Sequence, residues 1–237
     1  MVESDRSNES PLSDEAVRRI RLRVSNAYLV KSEAGFVLID TGFRFDRARL
    51  ERELATAGCR AGDLRLILIT HADADHSGNA AYLREAFGAR IAAHHLEAPG
   101  VERGDMFLCR GPLRFGLRLA KPLMALFRLP KSDRFTPDLF LDDGDRLDSY
   151  GLDATVLHVP GHTIGSIAVL TADGALFSGD FLEDRRRPSI ATFVDDADAL
   201  RASYERVKGL GVRVVYPGHG RPFALEEIAA DVEGMNS

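Results

Sequence analysis

Long apolar runs, cysteine and surplus positive charge are scarce in this sequence, and each shortage removes a class of protein. No stretch of the 237 residues approaches the roughly 18 consecutive apolar side chains needed to span a bilayer. The opening MVESDRSNESPLSDE is polar and acidic where a secretory signal needs a basic and then an apolar run. Neither membrane spanning nor secretion is expected. The two cysteines, Cys59 and Cys109, are far apart and form no CxxC pair, so they supply neither a disulfide framework nor a thiolate zinc site. A cytoplasmic, reducing setting is the simplest expectation. Acidic side chains outnumber basic ones 36 to 31, for a net charge of −5. That sign disfavours a general nucleic-acid binder.

What is present suits an ordinary soluble domain, with 45% hydrophobic and 28% charged residues. Residues 1–16 lack apolar periodicity and read as a disordered or loosely attached tail. Residues 17–237 read as a single domain, with an irregular insertion at about 96–140 marked by Pro99, Pro112, Pro122, Pro130 and Pro137. Ala27 to Val30 and Phe36 to Asp40, separated by KSEAG, predict a β-hairpin. Leu50, Leu54 and Ala57 recur at helical spacing over Asp46 to Ala57, with Gly58 as the stop. The aliphatic run Leu66-Ile67-Leu68-Ile69 predicts a strand covered on both faces, followed by a helix from Asn79 to Phe87. Further strands are expected at Arg90 to Ala93, Leu152 to Val159, Ile167 to Thr171, Ala175 to Phe177 and Val212 to Tyr216. Helices are expected from Asp196 to Lys208 and from Leu225 onward. This alternation makes the fold mixed α/β.

The chemistry concentrates where strands end. Thr70-His71-Ala72-Asp73-Ala74-Asp75-His76-Ser77-Gly78-Asn79 follows the aliphatic strand directly. In an extended segment residues 71, 73 and 75 leave on one side, and a turn at 76–79 can bring His76 round to join them. Three other sites repeat the grammar of apolar strand, turn and ligand: His162 in HVPGHT, Asp180 in FSGD and His219 in YPGHG. Each residue alone reads more simply as a turn aspartate, a helix cap or a loop histidine. Their joint occurrence points to one metal site. Imidazoles with carboxylates and no thiolate suit zinc, iron or manganese rather than a closed structural zinc. His94, His95 and His158 fall outside the pattern, with His158 assigned at most a supporting contact to a ligand.

These motifs, together with NAYLV and VLIDTG near the start, resemble the metallo-β-lactamase superfamily, whose members carry H-x-H-x-D-H, PGHT, GD and PGHG segments. The resemblance implies a four-layer αββα sandwich with a metal site at one edge of its two sheets. It implies two divalent metal ions, zinc first and iron or manganese as alternatives. His71 and His162 would hold the first, Asp75, His76 and His219 the second, and Asp180 would bridge. Asp73 stands where the motif has its second histidine, a harder ligand that would bias the first site toward manganese or iron, or weaken it. Asp180 is not the cysteine of the zinc β-lactamases that use one. The expected function is a hydrolase whose metal-bound water cleaves an ester-like bond, with Asp75 as ligand and orienter of the nucleophile. Carboxylic esters, thioesters and lactones come first and phosphodiesters after them. A mononuclear iron persulfide dioxygenase and a non-catalytic binding module are the rival readings.

One segment carries charge of the opposite sign. Arg110 to Arg134 has a net charge of +6, leaving −11 for the rest of the chain. Arg110, Arg114 and Arg118 recur at helical spacing beside Leu113, Leu117, Leu123 and Phe127. Three readings are open: a basic helix packed on the sandwich, a contact with an anionic membrane surface, or a lid that selects an amphiphilic or anionic small-molecule substrate.

Overall fold

The computed structural model describes residues 16–110 and 129–228. Strands β1 (Val17–Arg21), β2 (Asn26–Ser32), β3 (Gly35–Ile39), β4 (Leu64–Ile69), β5 (Arg90–Ala93) and β6 (Leu139–Phe140) form one sheet in that order. The pairs β1–β2 and β2–β3 are antiparallel, and the rest of this sheet is parallel. The second sheet has the order β12-β9-β8-β7, from β7 (Ala154–His158), β8 (Ile167–Thr171), β9 (Ala175–Gly179) and β12 (Val214–Pro217). A two-stranded ribbon, β10 (Leu182–Glu183) with β11 (Ser189–Ile190), follows β9.

The pattern of the aliphatic strand sets the layers. In β4, Leu66, Ile67, Leu68 and Ile69 are all fully buried. Alternation sends Ile67 and Ile69 to one face, where they join Leu50, Leu54 and Leu83. These come from helices α1 (Arg47–Thr56) and α3 (Ala80–Phe87). Leu66 and Leu68 face the other way and pack with Val156, Val169 and Phe177 of the second sheet. The far face of that sheet, through Leu157, Leu176 and Val215, is covered by Leu200, Tyr204 and Val207. Those three belong to the last helix, α5 (Ala197–Lys208), which Asp196 caps by accepting the backbone N–H groups of Asp198 and Ala199. The result is the αββα sandwich. Burying each Leu or Ile of β4 contributes about 1.5–3 kcal/mol of transfer free energy, so the run that named the strand also joins the layers.

The expected hairpin, the helices after Asp46, Asn79 and Asp196, and the strands beginning at Arg90, Ile167 and Ala175 are all present. Gly88 ends its helix in the left-handed conformation, φ 70°. The last expected helix begins as a single 3-10 turn, Leu225–Glu227. Strand β1 was not anticipated: VRRIR lacks regular alternation, and its pairing with β2 defines it. At the expected insertion the described ends are packed in, with Val101 of helix α4 (Ala98–Arg103), Cys109 and Phe135 in the α1/α3 core. Residues 111–128, which hold most of the basic segment, lie outside the described residues, as does most of the expected N-terminal tail. Among the described residues no helix is long and apolar enough to cross a membrane.

Candidate metal centre

Loops that leave β4, β7, β9 and β12 meet at one edge of the two sheets. After β4 the chain stays extended through Asp73 and then enters a short helix, α2 (Ala74–Ser77). Strand-like alternation therefore holds for His71 and Asp73, and a helical turn carries Asp75 and His76 to a second position. His162 follows β7, Asp180 follows β9 and His219 follows β12, as the motif spacing led one to expect.

Seven side chains converge, in overlapping sets whose ligand atoms lie within 4.8 Å of one another: His71, Asp73 and His162; His71, His76 and Asp180; Asp75, His76 and His219. Where the last two sets meet, His219 Nε2 lies 3.4 Å from Asp75 and 3.1 Å from Asp180, and His76 Nε2 lies 3.1 Å from Asp180. The Nε2 atoms of His71, His76 and His219, with Oδ1 of Asp73 and Asp180, are buried without a hydrogen-bond partner. Buried polar atoms left this way are costly unless a ligand takes them.

The opposite nitrogen of each imidazole is held. Nδ1 of His219 faces the Val24 carbonyl at 2.6 Å and that of His162 the Phe193 carbonyl at 2.7 Å. A carbonyl can only accept, so in these two rings Nδ1 carries a proton and Nε2 is the nitrogen turned to the site, free to ligate a metal once the ring is neutral. His76 Nδ1 meets the Asp40 carboxylate at 2.8 Å, and His71 Nδ1 meets the Thr70 hydroxyl at 3.0 Å. Asp40 also accepts from the Thr70 N–H at 2.9 Å and from its hydroxyl. Its backbone lies at φ 59°, an uncommon place for a non-glycine residue and a form of strain that clusters at functional sites. Glu97, fully buried, accepts from the N–H of Ala72 at 2.7 Å, the N–H of Gly165 at 3.0 Å and the Thr163 hydroxyl at 2.7 Å. It thereby ties the His71 loop to the His162 loop.

Charges in the cluster shift one another. Burial alone would lower His219, but Asp180 and Asp75 beside it push it up to about 9. Burial likewise opposes ionisation of Asp180, yet His76 and His219 hold its carboxyl well below the usual range. Two carboxylates facing two imidazoles form a charge balance in which a divalent cation can replace protons.

The first set is different. The Arg110 guanidinium is paired with Asp73 Oδ2, and the same Nη2 lies 3.3 Å from His162 Nε2. Burial would raise Asp73, but Arg110, helped by His162 and His71, holds it well below the ordinary carboxylate value. Sequence reading saw Arg110 only as the first member of a basic helical face. Asp40 and Glu97 were missed as positioning residues: Asp40 lay inside a quoted motif, and nothing local marks Glu97.

His94, His95 and Asp142 form a separate group, with His94 Nε2 3.5 Å and His95 Nδ1 3.2 Å from the same carboxylate oxygen. His158 stacks on His94 at 4.4 Å, and its Nε2 lies 2.9 Å from the Ile164 carbonyl. The supporting contact expected of His158 is therefore to the backbone of the 160s loop rather than to a ligand. Burial first, then the imidazoles of His158 and His95, lower His94 to about 4. Below the ordinary histidine value near 6.5 the unfolded chain binds a proton that the folded one refuses. This contribution to stability is present above that pH and is lost as pH falls toward about 4. In thermal melts with metal saturating, the parent should lose more stability than His94→Gln between pH 7.5 and 5. Equal losses would contradict the assignment.

A sheet-edge cluster of imidazoles and carboxylates, its imidazoles oriented by backbone carbonyl, carboxylate or hydroxyl contacts, has the donor set of a metal-binding hydrolase. The chain belongs to the metallo-β-lactamase superfamily, whose pattern matches residues 20–219, and it is an enzyme of that superfamily. It is 31% identical over 222 residues to an acyl-coenzyme A thioesterase, MBLAC2, of Bos taurus, covering 86% of this chain and 76% of that protein. Among solved structures, a metallo-β-lactamase family protein of Thermus thermophilus, TTHA1429, superposes with TM-score 0.66 at 27% identity, covering 93% of this chain and 78% of that one. TTHA1623, in a di-iron-bound form, superposes with TM-score 0.64 at 32% identity, covering 90% and 93%.

Proposed function

We propose that this enzyme hydrolyses thioesters of amphiphilic, anionic substrates, the class to which acyl-coenzyme A belongs, with a divalent metal held by Asp75, His76, His219 and Asp180. The observation that carries the reading is the set of unpartnered donor atoms of His76, His219 and Asp180, with exposed apolar and basic side chains on the segments that orient His219 and His162. Val24, whose carbonyl orients His219, and Phe45 are exposed, with the Arg23 guanidinium 5.1 Å from the Phe45 ring. Phe193, whose carbonyl orients His162, is 62% exposed, and Arg185 lies 5.7 Å from its ring and 3.7 Å from Asp180. Likeness to an acyl-coenzyme A thioesterase supports the same substrate class.

When bound, the ion would bring the pKa of a water toward neutrality and polarise the scissile carbonyl. Imidazole with carboxylate suits zinc first, with iron or manganese as alternatives. The protein's own part is positional. Asp75, with 19% of its side chain exposed, is the most open carboxylate of the set and can accept and orient a proton of the attacking water. The exposed apolar side chains would take the acyl chain, and Arg23 and Arg185 would attract the anionic carrier. Neither thiol suits covalent catalysis: burial pushes Cys59 up to about 11 and pushes Cys109 up as well. Two unpaired, buried thiols also suit a cytoplasmic location.

The test is a panel of long-chain acyl-coenzyme A, small neutral carboxylic esters, lactones and phosphodiesters with the metal-loaded enzyme, read as kcat/KM. The acyl-coenzyme A thioester should be preferred, with free thiol appearing at the rate of acid. Preference for a phosphodiester, or oxygen uptake with a persulfide and no thioester cleavage, would overturn the reading.

A further inference from the structure

In the first ligand set Asp73 and Arg110 belong together. The Asp73 side chain is 8% exposed and that of Arg110 is 10% exposed, so each is a buried charge that the other neutralises. Arg110 makes three further contacts at the site: Nη1 donates to the His162 carbonyl at 3.2 Å, Nη2 lies 3.3 Å from His162 Nε2, and Nη1 lies 3.7 Å from Asp195. In the neutral ring, Nδ1 of His162 donates to the Phe193 carbonyl and Nε2 offers its lone pair to the guanidinium 3.3 Å away. Two of the three donors a first metal would need, His162 Nε2 and Asp73 Oδ2, are therefore committed to a fixed cation. Only His71 Nε2 and Asp73 Oδ1 remain unpartnered there.

The two halves differ in where their cation sits: Arg110 is buried among the ligands of the first, between Asp73 and Asp195, whereas in the second Asp75 and Asp180 face His76 and His219 and the nearby cation, Arg185, is partly exposed at 3.7 Å from Asp180. A divalent ion is favoured in the second half. In the first it would meet a guanidinium, which cannot give up its proton.

We infer that Arg110 is a built-in cation that takes the place of the first metal ion, so that the enzyme works with one metal per chain where the superfamily resemblance implies two. The residue at position 73 then has a physical reason: a histidine there would take from Arg110 the carboxylate it pairs with directly, leaving only the longer contact to Asp195 at 3.7 Å. The inference deepens the hydrolase reading and rests on its assignment of the remaining ion to Asp75, His76, His219 and Asp180.

The experiment counts metal by elemental analysis after equilibrium dialysis of the full chain against a zinc series, with manganese in parallel. The parent should plateau at one ion per chain. Arg110→Lys, which keeps the charge, should also plateau at one. Arg110→Met and the double variant Asp73→His/Arg110→Met should reach two, with circular dichroism confirming the fold of each. Should Arg110→Met fail to fold, the parent plateau and the double variant, which buries no unpaired carboxylate at position 73, still decide. A parent that binds two ions with affinities within about tenfold, or a folded double variant that stays at one, overturns the inference. Thioester turnover of the same preparations separates the two readings: one ion without turnover sinks the hydrolase proposal alone, and two ions with turnover sinks the Arg110 inference alone.

Discussion

Asp75→Asn should lower kcat/KM for a thioester by at least about a hundredfold while circular dichroism and the cooperativity of unfolding stay close to those of the parent. The side chain approaches His219 at 3.4 Å and His76 at 3.7 Å and is less buried than any other carboxylate of the cluster. An amide keeps its size but removes the negative charge that favours a divalent ion and the base that orients the attacking water. Losing such a contact commonly lowers rates by factors of about 10²–10⁴. His95→Ala is the matched control. Its ring is 54% exposed and belongs to the Asp142 group, so kcat/KM should change little. Comparable losses in both variants, with metal content unchanged, would refute the assignment of His95 as an outsider.

Gly218→Ala should be nearly as damaging without touching a ligand. A Cβ at this position would lie 2.4 Å from Asp180 Oδ1 and 2.7 Å from His76 Cε1. The backbone cannot retreat, because its N–H donates to the Gly179 carbonyl at 2.8 Å and its carbonyl accepts from the Asn26 N–H at 2.7 Å. Relief must come from Asp180 and His76. Metal affinity should fall by about 10- to 100-fold, the usual result of disturbing the groups that orient ligands, and turnover should fall with it. Overpacking a tight site should also lower stability by about 1–3 kcal/mol in chemical denaturation. Unchanged zinc affinity would mean that the loop after β12 is softer than these contacts imply.

Both variants act on residues that differ in how openly the sequence announces them. Asp75, His76, His162, Asp180 and His219 could be picked out as candidate ligands because each follows an apolar strand, and the fold brings those strand ends together at one sheet edge. The aliphatic run of β4 fixed both its strand and its two-sided burial, and from it came the stacking of layers. Strand β1 was hidden because its arginines break the alternation and only its partner β2 makes it a strand. Asp40 was quoted within VLIDTG, but its role depends on a positive φ and a contact to His76 across 36 positions. Glu97 works through Ala72, Thr163 and Gly165, all distant in the chain. Arg110 stood in a run of basic residues that looked like one helical face, whereas its guanidinium pairs with Asp73, 37 positions earlier. The departure at Asp73 was visible at once as a harder metal ligand. Its physical partner became visible only when the fold brought the two charges together.

The central claim, that an ion held by Asp75, His76, His219 and Asp180 drives thioester hydrolysis, is tested most directly by titrating the chelated protein with metal. Bound ion per chain and thiol release from a long-chain acyl-coenzyme A are followed in the same samples. Turnover should be absent after chelation and should rise in proportion to bound metal until both level off together at one ion per chain. Full turnover in the chelated protein, or bound metal that saturates with no thiol released, would contradict the account.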